Sequence, residues 1–411
     1  MPEAAPVHEP TAFRAESPCG RRTAASGRPA RRALPAALAA AALALCQPRP
    51  SARADGSVAY KYENYREEDG RISVITQAGS ADEDVGAYGH LSLTGTIDAV
   101  AGATPTGRPA PEGSDQVVLT EIHTRRKAWS GDYSEQLGNV NVDAGFAESR
   151  ESDYVSRGWS LNTLSDFDEK NTSVRAGIAG TSDRVEVFFT PEYLAKHTED
   201  AILGVTQVLD RLTVATLNVS VGRSTGYLAE AHKFVEKSIE ILPGLFLQES
   251  FGENSPNARN RESVFASLER AFPRARAALD LSYRFYADSY GIVAHTLSAG
   301  WVQHLGPYLL AEPTVRFYRQ SAASFYHYNL DSTSIVPVRF PNGTGPYYSS
   351  DFRLSAEDSA SVGVKLTWKA SDRVHLDAGY EHFAIAGRDK VTPASAYPTA
   401  NITTVGIRYL W

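Results

Sequence analysis

The chain is nearly free of sulfur. Its 411 residues include two cysteines, Cys19 and Cys46, and one methionine, Met1. Both cysteines precede Asp55, which leaves the chain from Asp55 to Trp411 with no disulfide, no zinc–thiolate centre and no cysteine nucleophile. A chain with no thiols folds in an oxidising compartment without mispairing. Long apolar runs are missing too. Mean hydropathy is −0.30 and charged residues make up 22%, which excludes a bundle of membrane-spanning helices. There is also no basic surplus. Lys and Arg number 41 against 48 Asp and Glu, a net −7. The stretch Met1–Ala54 holds eight Arg and three Glu, so the remainder carries 33 basic and 45 acidic groups, or −12. Nucleic acid needs a basic surface to meet its phosphates, and none is expected as a partner.

What is present begins with an export signal. Arg31 and Arg32 precede an apolar run from Ala33 to Leu45, and Ala52-Arg53-Ala54 closes a polar segment. At about 13 residues the run is too short to span roughly 30 Å of hydrocarbon as a helix and matches a signal core. Leu43-Ala44-Leu45-Cys46 approximates a lipobox, but Leu45 is bulky where lipoprotein processing wants Gly or Ala. The reading is an N-terminal extension with a signal cleaved after Ala52-x-Ala54 (residues 1–54) and one mature domain (residues 55–411).

The mature chain alternates with period two, the pattern of a strand with one apolar face. Val362, Val364, Leu366 and Trp368 alternate with Ser361, Gly363, Lys365 and Thr367. Val374, Leu376, Ala378 and Tyr380 oppose His375, Asp377, Gly379 and Glu381, and Leu279, Leu281, Tyr283 and Phe285 oppose Asp280, Ser282 and Arg284. Only Leu228–Ile241 has a helix-like spacing. Short turns (Asp168–Asn171, Leu209–Arg211, Pro273–Ala275, Gly306-Pro307, Ser371-Asp372) interleave with long polar segments (Gly102–Asp115, Gly180–Thr198, Thr225–Asn260, Tyr326–Ser350, Gly387–Ala400). About sixteen strands are expected, starting near residues 57, 71, 87, 117, 137, 154, 171, 199, 211, 261, 275, 291, 308, 353, 372 and 401. An even count returns both termini to the short-turn side.

A soluble sandwich and a membrane barrel both produce such alternation. Charges in mid-strand decide between them, because they would be costly in a dry sandwich core but stay hydrated in a water-filled lumen. The candidate lumen-facing charges are Arg157, Arg175, Asp280, Arg284, Glu312, Arg316, Lys365, His375, Asp377, Glu381 and Arg408. Aromatics near strand ends, among them Trp129, Trp159, Trp301 and Trp368, suit an interfacial girdle. The closing strand, with Val405, Ile407, Tyr409 and Trp411 on one face, resembles the C-terminal signal read by the outer-membrane barrel assembly machinery. The expected fold is all-β: a single antiparallel transmembrane β-barrel with short periplasmic turns and long extracellular loops. Its expected place is the outer membrane of a Gram-negative bacterium, with the lipid bilayer and the assembly machinery as partners.

Several stretches resemble a family of Gram-negative outer-membrane-type proteins that carries only a domain-of-unknown-function label. They are Tyr60-Lys61-Tyr62 with Glu68–Val74, Asp98–Gly107, Gly204–Leu209, Ser224–Leu228, Tyr290-Gly291-Ile292, His295-Thr296-Leu297, Val315–Ala323 and Ser349–Ala356. Together they sample the mature chain from end to end. The resemblance brings no activity with it. Members of that family tend to accompany thioredoxin-like proteins, a small lipoprotein and a flavin-attaching transferase, which implies a periplasmic redox or lipoprotein partner.

No catalytic constellation appears. Nine histidines follow residue 55, but none forms an H-E-x-x-H motif or an i, i+2 pair on one strand face, and no G-x-S-x-G accompanies His295. His375, Asp377 and Glu381 share a face, as ligands would, yet alternation alone puts polar residues there. The expectation is therefore no metal, no cofactor and no enzyme. The lumen arginines could form a ladder that steers anions, but Asp98, Asp143, Asp280 and Glu312 lie on the same side and point to cross-strand pairing. The expected function is a porin-like pore for small solutes. The alternative is a non-conducting scaffold or docking barrel, favoured if the apolar stretch Ile239–Leu247 folds inward.

Overall fold

A computed structural model describes residues 56–105 and 116–411 apart from 188, 232 and 332. The cleavage residues Ala52 and Ala54, and most of the expected segment Gly102–Asp115, lie outside the described residues. Alternating side chains generate eighteen strands. The first nine are β1 (Ser57–Glu67), β2 (Ser73–Val85), β3 (Gly89–Pro105), β4 (Leu119–Leu137), β5 (Val140–Arg150), β6 (Tyr154–Phe167), β7 (Thr172–Val187), β8 (Thr190–Asp210) and β9 (Thr213–Gly226). Next come β10 (Phe234–Leu242), β11 (Leu245–Gly252), β12 (Ala258–Phe272), β13 (Ala277–Asp288) and β14 (Val293–His304). The chain finishes with β15 (Leu309–Gln320), β16 (Glu357–Lys369), β17 (Val374–Gly387) and β18 (Thr399–Leu410).

Sixteen of these form a closed antiparallel barrel in which every strand pairs with its neighbour in sequence, except that β9 pairs β12 and β18 closes on β1. Closure leaves no unpaired edge, the condition for crossing a bilayer with strands. The seam holds eleven residue pairs, Ser57↔Leu410 through Glu67↔Ala400. Trp411 extends it, its N–H donating to the Gly56 carbonyl at 3.2 Å and its indole Nε1 to Glu83 Oε2 at 3.1 Å. No helix among the described residues is long and apolar enough to cross a membrane. The strands do the crossing.

The apolar face points outward. Leu203 and Val362 are each 61% exposed, and Leu217, Val219, Leu297, Val315, Phe317, Val405 and Ile407 line the same side of their strands. Such a belt would be a standing liability in water and is what a bilayer covers. Inward positions are polar, and crowding there is relieved by glycine. Asn162 lies across its register partner Gly177, and Asp377 across Gly406, where an added Cβ would sit 2.3–2.5 Å from the side-chain oxygen.

Two expected loops are not loops. Gly180–Thr198 is the upper part of β7 and β8, which turn between Val187 and Thr190. Above the bilayer both faces of a strand meet water, so the hydrogen-bonded ladder continues while the apolar alternation fades. The described residues of Thr225–Asn260 form no helix but the hairpin β10–β11. Its base is buried (Val235 is 0% exposed), whereas Ile241, Leu242, Leu245, Phe246 and Leu247 at its tip are exposed. The tip is not buried against the rest of the described chain.

Candidate functional site: a polar lumen beneath a loop cap

Alternation and register set Arg175, Asp280, Arg284, Glu312, Arg316, Lys365, His375, Asp377, Glu381 and Arg408 on the face opposite the apolar belt. Pairing dominates this wall. Lys365 Nζ meets Glu312 Oε1 at 3.3 Å on the adjacent strand, and Arg126 Nε meets Asp98 Oδ2 at 2.5 Å. Arg261 reaches Asp200 at 2.9 Å, and Asp143 accepts from Asn162 Nδ2 at 3.0 Å. Arg284 stacks over Phe265, and Arg316 over Tyr318, with ring centroids 5.8 and 5.7 Å away. The inner wall is thus a mixed polar lining with no continuous ladder of one sign.

Arg157, expected among the lumen charges, belongs outside. It shares its face of β6 with Trp159 and Leu161. Its register partner Glu148 stands beside Phe146, whose ring lies 5.5 Å from Trp129 on the outer belt. Parity with Trp159 is the signal that places it there.

Sequence reasoning misses the long-loop rim. Residues 227–257 and 321–356 meet over the barrel mouth. Lys233 Nζ, on the segment after β9, donates to Thr104 Oγ1 (2.9 Å) and to the Pro105 carbonyl (2.8 Å) at the end of β3. β9 and β3 stand six places apart around the ring, an arc of ~29 Å at the usual strand spacing. The segment spans that arc, and on the way Ala231 packs against Tyr154 of β6 and Val185 and Val187 of β7. Arg353 then ties the two loops together, its Nη2 bonding Glu230 Oε2 at 3.1 Å while Nε bonds Asp351 at 2.9 Å. Glu253 Oε1, 1% exposed, accepts from Ser349 Oγ (2.8 Å), Ser350 N (2.9 Å) and Asp351 N (3.0 Å).

Apolar packing completes the cap. Val235, Leu330 and Tyr348 are fully buried together, and Phe352 packs with Tyr328, Phe383 and Tyr397. Lys237 Nζ caps three carbonyls of the facing loop (Leu330, Thr333 and Ile335) at 2.6–3.3 Å. Arg71, in the β1–β2 turn, holds the 388–398 loop through the Ser395 and Ala396 carbonyls.

Burial shifts the ionisation of the cap. The Glu253 carboxyl is pushed up to about 8, chiefly by desolvation and then by the neighbouring Asp351. Burial depresses the Lys233 ammonium, against the pull of Asp351 and Glu230. Asp351 is held below the ordinary carboxylate range, because Arg353 and Lys233 outweigh its burial. No group of three metal-ligating side chains occurs among the described residues. One signal points to this rim: Glu68–Val74, Ser224–Leu228, Tyr290-Gly291-Ile292 and Ser349–Ala356, all stretches that carry the family resemblance, sit there.

A family model described as a protein of unknown function, DUF3570, matches residues 30–401. The chain belongs to the DUF3570 family. No curated protein matches it. Solved structures similar to this DUF3570 barrel include the siderophore receptor PirA from Pseudomonas aeruginosa, at 12% identity and a TM-score of 0.43 over 88% of this chain and 62% of that one. CdiB from Acinetobacter baumannii aligns at 8% identity and a TM-score of 0.49, over 87% of this chain and 60% of that one. Outer-membrane expressed OmpT of Vibrio cholerae aligns at 11% and 0.42, over 89% and 100%. The DUF3570 chain thus spans less than two thirds of the length of PirA and of CdiB.

Proposed function

We propose that this DUF3570 chain is an outer-membrane channel that passes small solutes through its lumen, with the loop cap as the constriction at the extracellular mouth. The observation that supports this most is the charged inner wall: Arg261–Asp200 and Lys365–Glu312 are ion pairs on the inward face with both partners open to water. A barrel with no aqueous interior would gain more by filling those positions with apolar side chains. Both signs line the wall, so the reading is a weakly selective path for small polar solutes and not an anion-specific pore. Export by residues 31–54, with cleavage after Ala54, and insertion by the barrel assembly machinery belong to the same reading. Catalysis does not.

A second reading has its own support. The cap joins the long loops at the mouth and buries its contacts, which fits a closed barrel that serves as a scaffold, with the short-turn rim presented to a periplasmic redox or lipoprotein partner. Planar-bilayer conductance of the refolded mature chain tests the two, run beside a variant in which residues 229–256 are replaced by a short Gly-Ser linker. Current in the variant, with less or none in the parent, supports a capped channel. Silence from both, with the barrel shown to be folded by heat-modifiable gel mobility, rules the channel out in favour of the scaffold.

A further inference from the structure

The outer wall above the aromatic belt is not uniform. On β4 to β7 the register sets Lys127, Arg150, Val155 and Arg184 side by side on the outward face, one per strand. Arg125 stands two residues above Lys127 on the same face, and Arg157 stands one row below, beside Arg150. Five basic side chains therefore share one patch, and all are exposed. Among the described residues their one close counter-ion is Glu148, which bonds Arg150 at 2.7 Å and Arg157 at 2.8 Å. No ion pair joins Arg125, Lys127 or Arg184 to another described residue. Glu186 and Glu199 border the patch but do not enter the row. Cross-strand like charges such as Lys127 and Arg150 are destabilising unless something neutralises them.

The height of the patch indicates what does so. Phe146 and Trp159 are register partners in the row below Arg157, and Trp129 stands level with Arg157 with its ring 5.5 Å from Phe146, at the height where a bilayer's interface lies. Rows on one face are two residues apart, about 7 Å along the strand, so the basic row stands at the level of lipid headgroups. A recess of about 310 Å³ opens beside it, lined by Phe146, Trp159, Gly180, Arg157, Ser182 and His197 among others, including Glu199. Gly180 keeps it open, since a Cβ there would lie 2.8 Å from Trp159 Nε1. Aromatic surface below and guanidinium above match the junction of an acyl chain with a phosphorylated headgroup. On the opposite wall Arg319 is instead closed bidentately on Asp358, at 2.7 and 2.8 Å.

We propose that the outer face of β4–β7 binds the phosphorylated headgroup of an anionic lipid in the surrounding leaflet, through Lys127, Arg150 and Arg184 with Arg125 and Arg157 beside them. Each phosphate would take charge-assisted bonds from two or more of these side chains. The site lies outside the lumen and does not depend on whether the barrel conducts.

The test uses the refolded, delipidated mature chain in neutral detergent, titrated with diphosphorylated lipid A and, separately, with phosphatidylcholine, and read by native mass spectrometry. The chain should retain lipid A preferentially, and added salt should weaken that retention. The triple variant Lys127→Ser, Arg150→Ser, Arg184→Ser should bind lipid A at least about tenfold more weakly, while Arg319→Ser leaves binding unchanged. Should the triple variant not reach the folded, heat-modifiable form, Arg184→Ser alone and the salt dependence of the parent carry the test. Equal binding by parent and variant overturns the proposal, as does equal retention of phosphatidylcholine. Displacement by millimolar inorganic phosphate would also overturn it, making the patch a free-anion site.

Discussion

The barrel has two very different ends. At one rim, seven connections of two to four residues join the strands, with both ends of the barrel strands beside them. At the other, residues 227–257, 321–356 and 388–398 leave the wall and pack on one another. The short-turn rim needs only backbone geometry: Gly138 and the left-handed Arg276 reverse the chain, and little is buried there. The capped rim buries Lys233, Glu253, Asn254, Asp351 and Leu330. Wall and cap are therefore stabilised by different forces. The wall rests on a closed hydrogen-bond ladder and a lipid-covered belt, whereas the cap rests on a buried ionic network and a small apolar cluster. A change that opens the cap should leave the wall standing.

The largest expected effect follows from Arg353. Arg353→Ala leaves Asp351 and Glu230 buried without their partner, a loss of roughly 3–5 kcal/mol for a broken buried pair. Hydrogen exchange and protease cleavage should rise across 227–257 and 321–356, while the heat-modifiable mobility of the barrel persists. If exchange in the cap stays at the parent level, the network does not hold the cap shut. Leu330→Ala should come next, costing about 2–4 kcal/mol for a cavity among Val235 and Tyr348, with the same local signature and no change in the wall.

The pH dependence of the cap is a finer probe. Because the closed cap raises Glu253 from its usual 4.5 to about 8, Glu253 is protonated when buried and sheds its proton when the cap opens to water. Its stabilisation of the closed cap is complete below about 4.5, fades as pH rises through the interval to 8, and does not change further above that. Lys233 works in the opposite sense below its ordinary 10.5, since burial lowers it and favours the closed cap as pH rises. Asp351, held low, matters only in stronger acid. Comparing the chain with Glu253→Gln isolates the first contribution. Between pH 5.5 and 8, cap exchange should accelerate more in the parent than in the variant. Parallel pH profiles would mean that Glu253 is ionised in the closed state.

How much of this is legible in the sequence follows from the same division of forces. Where one face meets lipid and the other water, period two is sharp, and β13, β16, β17 and β18 can be read almost residue by residue. Above the bilayer the contrast vanishes, so the upper halves of β7 and β8 resemble loop. Arg157 is misplaced when its charge is weighed above its parity with Trp159. The cap is invisible for another reason. Lys233 meets Thr104 across 129 positions of chain and Arg353 meets Glu230 across 123, and no local pattern encodes such contacts. What the sequence does show of the cap is length, in the long segments after β9 and β15. The helical spacing of Leu228–Ile241 misleads because a hairpin with a buried base and an exposed tip also spaces its apolar residues irregularly.

The smallest expected effect comes from the lumen and tests whether its charges matter for passage or for folding. Lys365 and Glu312 are 51% and 26% exposed on opposite sides of one bond, so water screens them and the pair contributes at most about 1 kcal/mol. Lys365→Ala should therefore leave the unfolding transition in urea within that margin. Its effect should appear instead as charge bias. With one cation gone, Glu312 stands alone on the wall, and in a conducting barrel the reversal potential under a salt gradient should move toward cation preference. The converse variant, Glu312→Gln, should move it toward anion preference by a similar amount. Shifts of opposite sign with unchanged stability would place this pair along the permeation path. Matching losses of stability with no shift in either variant would place it in the architecture of the wall, and the distinction between the two rims would then extend to the lumen between them.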